Sequence, residues 1–198
     1  MPWVKKTYIP YGVDREKFNQ SPPAMVNLKK PIVLCVSAFS PYKRIDLLIR
    51  AMQKVPQASL LIIGQGLLEG ELRRLGENLL GDRFRLVTEI NHDQLIGYYK
   101  ASDVFSLPSK STEALGIVYL EAMAAGLPVV APDDFNRREI LGKAGIYVNP
   151  EDIEAYAEGI KKAINEKLGV KPENQAHKFS WEKILSQYEQ ILQKIIKK

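Results

Sequence analysis

The sequence is poor in the residues that bind metals or form disulfides. Its 198 residues include one cysteine and two histidines, and no Asp-x-Asp pattern occurs. Zinc sites use several Cys and His ligands at short spacings, so this composition argues against ordinary zinc chemistry. Cys35 lies in the apolar run VLCVSA and is predicted to be a reduced core residue, which favours a reducing, cytoplasmic compartment. We expect neither a metal nor a cofactor.

Long apolar runs and long basic runs are also missing. No apolar stretch approaches the roughly 20 residues of a membrane span, so we predict a domain that does not cross a membrane. The net charge is +5, but the basic residues are scattered in short pairs, which gives no indication of a nucleic-acid partner. An anionic ligand and peripheral contact with an anionic membrane surface are equally compatible with this charge.

Apolar segments that alternate with helical segments make up most of the chain. Hydrophobic residues are 45% of the sequence, enough to bury an α/β core. Six strands are predicted, at residues 32–37, 58–63, 83–87, 104–108, 128–131 and 145–148. Helices are predicted at residues 46–54, 68–80, 93–101, 117–125, 137–141, 152–167 and 181–197. This alternation predicts a Rossmann-like doubly wound parallel sheet of about six strands with helices on both faces.

Five predicted loops follow the carboxyl ends of these strands, where ligands of such sheets bind. They are residues 37–39, 64–66, 88–90, 108–113 and 132–135. Gly64 and Gly66 in the second loop form an isolated G-x-G, which lacks the third glycine of a dinucleotide fingerprint. A tight turn and a ribose or base lying against the backbone explain this pair of glycines equally well.

The most informative segment is residues 111–132, STEALGIVYLEAMAAGLPVVAP. Glu113 and Glu121 are separated by seven residues, and a glycine turn, Ala114-Leu115-Gly116, leads from the first glutamate into the helix that begins at Ile117. The amino end of a helix attracts phosphate, and carboxylates accept hydrogen bonds from vicinal hydroxyls. The pattern therefore predicts a ligand with sugar hydroxyls and phosphates. For Glu121 alone, an acidic side chain that complements the helix dipole is the simpler interpretation.

This segment resembles the E-x7-E signature of retaining GT-B glycosyltransferases, most closely glycosyltransferase family 4, the group 1 transferases. Five other segments match in the family's order: IPYGVD at 9–14, SAFSPYKRIDLL at 37–48, LLIIGQG at 60–66, DVFSLPS at 103–109 and GIYVNPED at 145–152. The similarity spans nearly the whole chain. It corresponds to the C-terminal, donor-binding half of such an enzyme.

The resemblance implies a domain organisation. Residues 1–198 would form a single nucleotide-sugar-binding domain, with an interdomain-type lead-in strand at residues 1–18. The helix at residues 181–198 would cross to an N-terminal acceptor-binding domain or partner chain, which leaves its apolar stripe partly exposed here. Alone, the chain would bind the donor but transfer little or no sugar. The full enzyme would contact the membrane peripherally.

The resemblance also implies roles for individual residues. Glu113 would hydrogen-bond the transferred hexose, Glu121 would bind the ribose, and Lys43 would stabilise the departing diphosphate. The remaining donor-binding positions would be Ser37, Ala38, Arg44, Gly64, Gly66, Ile90 and the turn Ala114, Leu115, Gly116 and Ile117.

One position departs from the family pattern. Ala38 stands where the family has an arginine about five residues before the lysine, so Arg44 is the candidate for the second cation. Alternatively, Lys43 and Arg44 are simply exposed charges at a helix start.

The expected activity is that of a retaining, metal-independent hexosyltransferase, for example a mannosyltransferase. It would use a UDP-, GDP- or ADP-hexose and a glycan or lipid-linked acceptor. Two alternatives remain open: a non-catalytic nucleotide-sugar-binding subunit of a split transferase, and a fragment of a GT-B nucleotide-sugar epimerase.

Overall fold

A parallel six-stranded sheet forms the centre of the molecule. The computed structural model describes residues 7–110, 116–166 and 171–196. The sheet order is β3-β2-β1-β4-β5-β6, and the strands are β1 (Ile32–Val36), β2 (Ser59–Ile63), β3 (Phe84–Val87), β4 (Val104–Ser106), β5 (Val129–Pro132) and β6 (Gly145–Val148). Every residue of β1, β2, β4 and β5 is buried, as expected for strands covered on both faces. The predicted fold class is confirmed.

Helices cover the two faces of the sheet. They are α1 (Arg15–Gln20), α2 (Ile45–Met52), α3 (Glu69–Leu80), α4 (His92–Ala101), α5 (Ile117–Ala124), α6 (Phe135–Leu141), α7 (Ile153–Asn165), α8 (Pro172–Ala176) and α9 (Trp181–Ile196). One layer is built around α2, which contacts α3 and α7. The other is built around α5, which contacts α4, α6 and α8. A short 3-10 turn, Pro41–Lys43, precedes α2.

Strand β1 is one of the two central strands. Val33 pairs with Leu60 of β2 on one side and with Val104 of β4 on the other. The strand order reverses between β1 and β4, and a crevice forms at the carboxyl ends of the strands where such a reversal occurs. The candidate site is therefore expected at this edge.

The predicted lead-in strand at residues 1–18 is wrong in its described part. Residues Arg15–Gln20 form α1, and Asp14 starts this helix by accepting a hydrogen bond from the amide of Lys17. Val13 makes only an isolated parallel bridge to Ser180. Because the Asp14 side chain caps a short helix here, the predicted strand does not extend to residue 18. Residues 1–6 lie outside the described residues.

The other predicted strands and helices are confirmed, and their ends differ by at most two residues within the described part of the chain. The predicted helix ends at residues 167 and 197 lie outside the described residues. Helices α1 and α8, which are five or six residues long, were not predicted. In α9 the apolar stripe is mostly exposed: Ile184 is buried, but Leu185, Tyr188, Leu192 and Ile195 are exposed. No helix within the described ranges has the length and hydropathy needed to cross a membrane.

Two glycines of α3 provide a matched test of the packing of this helix on the sheet. A Cβ atom on Gly76 would lie 2.2 Å from the Phe84 ring of β3, whereas one on Gly70 would meet nothing within 4 Å. Alanine is favoured over glycine in helices by up to about 1 kcal/mol. We expect Gly70→Ala to raise the free energy of unfolding slightly and Gly76→Ala to lower it, as measured by urea denaturation. Equal effects of the two changes would contradict the described packing of α3.

Candidate functional site

A cleft opens at the carboxyl edge of the sheet between the loops that follow β1, β2 and β3. Its volume is about 370 Å³, within the range of small-molecule sites. Helices α4 and α5 close its sides. The lining residues are Val36, Ser37, Ala38, Ile63, Gly64, Gln65, Glu89, Ile90, Leu95 and Val118. Four predicted donor-binding residues, Ser37, Ala38, Gly64 and Ile90, are thus brought together.

The two glycines after β2 are required by the packing of the chain itself. A Cβ on Gly64 would lie 1.8 Å from the carbonyl oxygen of Ser37, and one on Gly66 would lie 2.7 Å from that of Phe39. Both glycines also have φ angles that other residues rarely adopt, +154° and +152°. The tight-turn interpretation of the G-x-G is therefore sufficient, although Gly64 also lines the cleft.

Lys43 lies at the end of the 3-10 turn that follows β1. Its side chain is only 8% exposed, and its Nζ lies 5.1 Å from the centre of the Tyr42 ring. The alternative interpretation of Lys43 as an exposed helix-start charge is wrong. A buried ammonium group is costly unless other groups compensate it, so the burial of Lys43 distinguishes it from a solvated surface charge.

Arg44 has an unusual backbone and an engaged side chain. Its φ of +52° is left-handed, which is uncommon for residues other than glycine. Its Nε donates to Pro108 O at 2.9 Å, and its Nη1 pairs with Glu151 at 2.8 Å. This guanidinium holds the exit of β4, which is the segment at residues 107–110. Arg44 is therefore also not the simple exposed charge of the alternative interpretation.

Gly116 forms the entry to α5 in the left-handed conformation, with φ +45°. A Cβ there would lie 2.5 Å from the Tyr119 ring, so only glycine fits this turn. Ile117 follows as the first residue of α5 and is 44% exposed. The predicted residues Glu113, Ala114 and Leu115 lie outside the described residues.

Glu121 is a buried carboxylate in the second turn of α5. It is 4% exposed, and Tyr99 donates its hydroxyl to Oε2 at 2.8 Å. His92 Nε2 lies 3.7 Å from Oε1. Burial raises the pKa of Glu121, although the Tyr99 hydrogen bond and His92 oppose this rise. The dipole interpretation is wrong, because Glu121 is not in the first turn of the helix.

Glu121 is close to the cleft through its helix. Val118, which lines the cleft, precedes Glu121 by three residues, and residues three apart share one face of a helix. His92 begins α4, which contributes Leu95 to the same cleft. A carboxylate held by one tyrosine keeps acceptor positions for ligand hydroxyls.

Sequence reasoning missed Tyr99, Tyr119 and Arg137, whose polar atoms are buried around the same edge. Arg137, from α6, is 2% exposed and is ion-paired with Asp134. Asp134 also caps α6, because its side chain accepts a hydrogen bond from the amide of Arg137. A local pattern gives no signal for a buried arginine on a short polar helix, since its partners lie elsewhere in the chain.

The described part of the chain contains no group of three His, Cys, Asp or Glu side chains that could hold a metal ion.

The sequence pattern described as "Glycosyl transferases group 1" matches residues 16–180. Among similar proteins is a GDP-mannose-dependent alpha-(1-6)-phosphatidylinositol monomannoside mannosyltransferase from Mycolicibacterium smegmatis. It is 32% identical over 77% of this chain and 45% of its own length. A GDP-mannose-dependent monoacylated alpha-(1-6)-phosphatidylinositol monomannoside mannosyltransferase from Corynebacterium glutamicum is 30% identical over 94% of this chain and 55% of its own. The chain spans about half the length of these relatives.

Solved structures share the fold. Sucrose-phosphate synthase from Thermosynechococcus elongatus superimposes with a TM-score of 0.79 and 31% identity, over 95% of this chain and 52% of that one. HepE from Anabaena, solved with UDP and glucose, gives a TM-score of 0.74 and 24% identity, over 84% and 49% of the two chains.

The buried charge of Glu121 predicts a pH-dependent effect on stability. A carboxyl with a raised pKa binds its proton more tightly in the folded state, so its stabilising contribution is present at low pH and is lost as pH rises through the folded pKa. We expect the stability of Glu121→Gln relative to wild type to increase between about pH 4 and about pH 7, in urea unfolding followed by circular dichroism. Glu139→Gln, on the exposed surface of α6, controls for the loss of one charge. A constant difference across this range would contradict the raised pKa.

Proposed function

The chain belongs to the group 1 glycosyltransferases, and on this premise we propose that it is the donor-binding domain of a retaining, metal-independent transferase. The enzyme would move a hexose from a nucleotide-diphosphate sugar to a glycan or a lipid-linked acceptor. The main support is the convergence of three features at one edge of the sheet: the cleft, the buried Glu121 carboxylate and the buried Lys43 ammonium.

The nucleoside would occupy the cleft. Ile90 and Val118 offer apolar contact to the base, and the loops of Ser37 and Gly64 offer backbone polar groups. Glu121 would accept hydrogen bonds from the ribose hydroxyls. Because Tyr99 donates to one carboxylate oxygen, the carboxylate is oriented before the ligand arrives, which reduces the ordering cost of binding.

The diphosphate and the hexose would lie between the Lys43 turn and the start of α5. When the bond between the anomeric carbon and the phosphate oxygen breaks, negative charge develops on the leaving diphosphate. Lys43 and the amides of Leu115, Gly116 and Ile117 would stabilise that charge, and Glu113 would hydrogen-bond the hexose. In a retaining transfer the acceptor attacks the face from which the diphosphate departs.

The similar proteins favour a first candidate for the donor. Four of them are named as GDP-mannose-dependent mannosyltransferases, whereas several solved neighbours were crystallised with UDP. The curated names come with the higher sequence identity, so we propose GDP-mannose as the donor and UDP-hexoses as the competing candidates.

The acceptor would be held by a separate N-terminal domain or partner chain. The relatives are about twice as long as this chain, and the exposed stripe of α9 offers an apolar surface to such a domain. The 198-residue chain would then bind the donor and transfer little sugar. Peripheral membrane contact and a cytoplasmic location also remain predictions.

A screen of donors by thermal shift tests the proposed function. A ligand that binds only the folded state raises the apparent stability, by about 2.7 kcal/mol at a hundredfold excess over Kd. We expect GDP-mannose to raise the melting temperature more than UDP-glucose, UDP-N-acetylglucosamine or ADP-glucose, without added divalent metal. NAD and NADP are included in the same screen as controls, because a dinucleotide-binding domain would be stabilised by them. If no nucleotide sugar raises the melting temperature, the proposal is refuted.

Glu121 can be tested separately by calorimetry. Hydrogen bonds to charged groups contribute about 1.5–3 kcal/mol, so we expect Glu121→Ala and Glu121→Gln to weaken GDP binding roughly tenfold or more. Glu121→Gln keeps an acceptor for the Tyr99 hydroxyl and guards against a folding artefact, and Glu139→Gln is the matched surface control. Wild-type affinity in both Glu121 variants would exclude this residue from the site.

A further inference from the structure

We propose that Arg44 and Arg137 act as positioning residues that hold the exit of β4, residues 107–110. By holding this segment they set the distance between the Lys43 turn and the start of α5. The inference rests on the proposed function, because those two elements are the ones to which it assigns the diphosphate and the hexose.

The β4 exit is buried although it has no regular secondary structure. Strand β4 ends at Ser106, yet Leu107, Pro108 and Ser109 are all buried. Backbone carbonyls that are buried outside a helix or a sheet need other hydrogen-bond partners. Side chains from three different elements supply these partners.

Arg44 holds the segment from the side of the Lys43 turn. Its Nε donates to Pro108 O at 2.9 Å, and its Nη2 reaches Ser109 O at 3.4 Å. The amide of Lys110 donates to Tyr42 O at 2.9 Å, which adds a backbone link between the same two segments. The turn that bears Lys43 is therefore joined to the β4 exit by three hydrogen bonds.

Arg137 holds the segment from the opposite side. Its Nη2 donates to Ser109 Oγ at 2.6 Å, to Ser109 O at 3.2 Å and to Lys110 O at 3.1 Å. Its Nε lies 3.4 Å from the Tyr119 hydroxyl, and that hydroxyl donates to Leu107 O at 2.8 Å. Helices α5 and α6 are thereby joined to the same four residues.

A guanidinium group suits this task better than any other side chain. It presents five N–H donors in one plane and stays charged, so one side chain can bind several acceptors that point in different directions. Burying such a charge gives little net stability, and apolar replacements are often as stable. We therefore assign the two arginines to the geometry of the site. In this assignment Arg44 does not replace the missing phosphate-binding arginine.

The contacts of Arg44 and Arg137 with residues 107–110 are called the clamp. The test compares substitutions in the clamp with a matched substitution outside it. Arg44→Gly removes the guanidinium and suits the left-handed backbone. Arg137→Met removes the second guanidinium, and Ser109→Ala removes the hydroxyl that accepts a hydrogen bond from it. Arg138→Met is the control, because Arg138 lies in the same helix but is exposed and paired with Asp133. Each protein is measured for binding of GDP-mannose and of GMP by calorimetry, or of UDP-glucose and UMP if the wild type prefers them, and for tryptic cleavage after Lys110.

We expect the clamp variants to bind the nucleotide sugar roughly tenfold to a hundredfold more weakly, since small misplacements of a site carry costs of this size. Affinity for the monophosphate, which lacks the β-phosphate and the sugar, should change much less. Cleavage after the exposed Lys110 should accelerate in the clamp variants, whereas Arg138→Met should match the wild type in all three measurements.

Other results would overturn the inference. Wild-type donor affinity in Arg44→Gly and Ser109→Ala, or equal losses for donor and monophosphate, would reduce the clamp to a structural role. If Arg137→Met does not fold, these two variants decide the matter. A wild-type chain that binds neither ligand would refute the proposed function itself, and the role of the clamp with it.

Discussion

The parallel pairing of β1 with β2 on one side and with β4 on the other is the constraint on which the rest of the structure depends. Val33, Leu34 and Cys35 are fully buried between the two helical layers, and each large apolar side chain buried in this way contributes about 1.5–3 kcal/mol. Because the strands are parallel, their carboxyl ends lie at one edge. The loops that follow β1, β2 and β3 surround the cleft at this edge, where ligands of such sheets bind.

The charged side chains that are buried within the described residues lie around the same edge. The strands are built mostly of apolar residues, whereas Lys43, Glu121 and Arg137 are buried around the loops that follow β1, β4 and β5. Burying charged side chains is costly, and such residues are most often found where chemistry or binding requires them. The hydroxyls of Tyr99 and Tyr119 satisfy part of this charge, so the site is supported by tyrosines that otherwise belong to the core.

The carboxyl edge of the sheet has an open part and a filled part. The loops after β1, β2 and β3 surround the open cleft, while the exit of β4 is filled by side chains from α5, α6 and the Lys43 turn. An open cleft next to a closely hydrogen-bonded segment suits a ligand with a reacting group at one end, since reacting groups must be held within a fraction of an ångström. The proposed nucleotide-sugar donor would fit this division, with its nucleoside in the cleft and its hexose beside the β4 exit.

Local pattern determined much of this protein. The alternation of apolar runs and helical stretches was enough to predict the parallel sheet and to locate the loops of Ser37, Gly64 and Ile90. Strands that are buried on both faces are continuous apolar runs of a few residues, and such runs can be seen in the local sequence. The lead-in segment was predicted wrongly because α1 is a six-residue helix, and a helix so short depends on its cap and on packing more than on its own sequence. Only the tertiary structure decided that Glu121 accepts from Tyr99, 22 residues earlier, and that Arg137 reaches Ser109, 28 residues earlier. Contacts over such separations depend on where whole strands and helices pack, and no periodicity in the sequence records them.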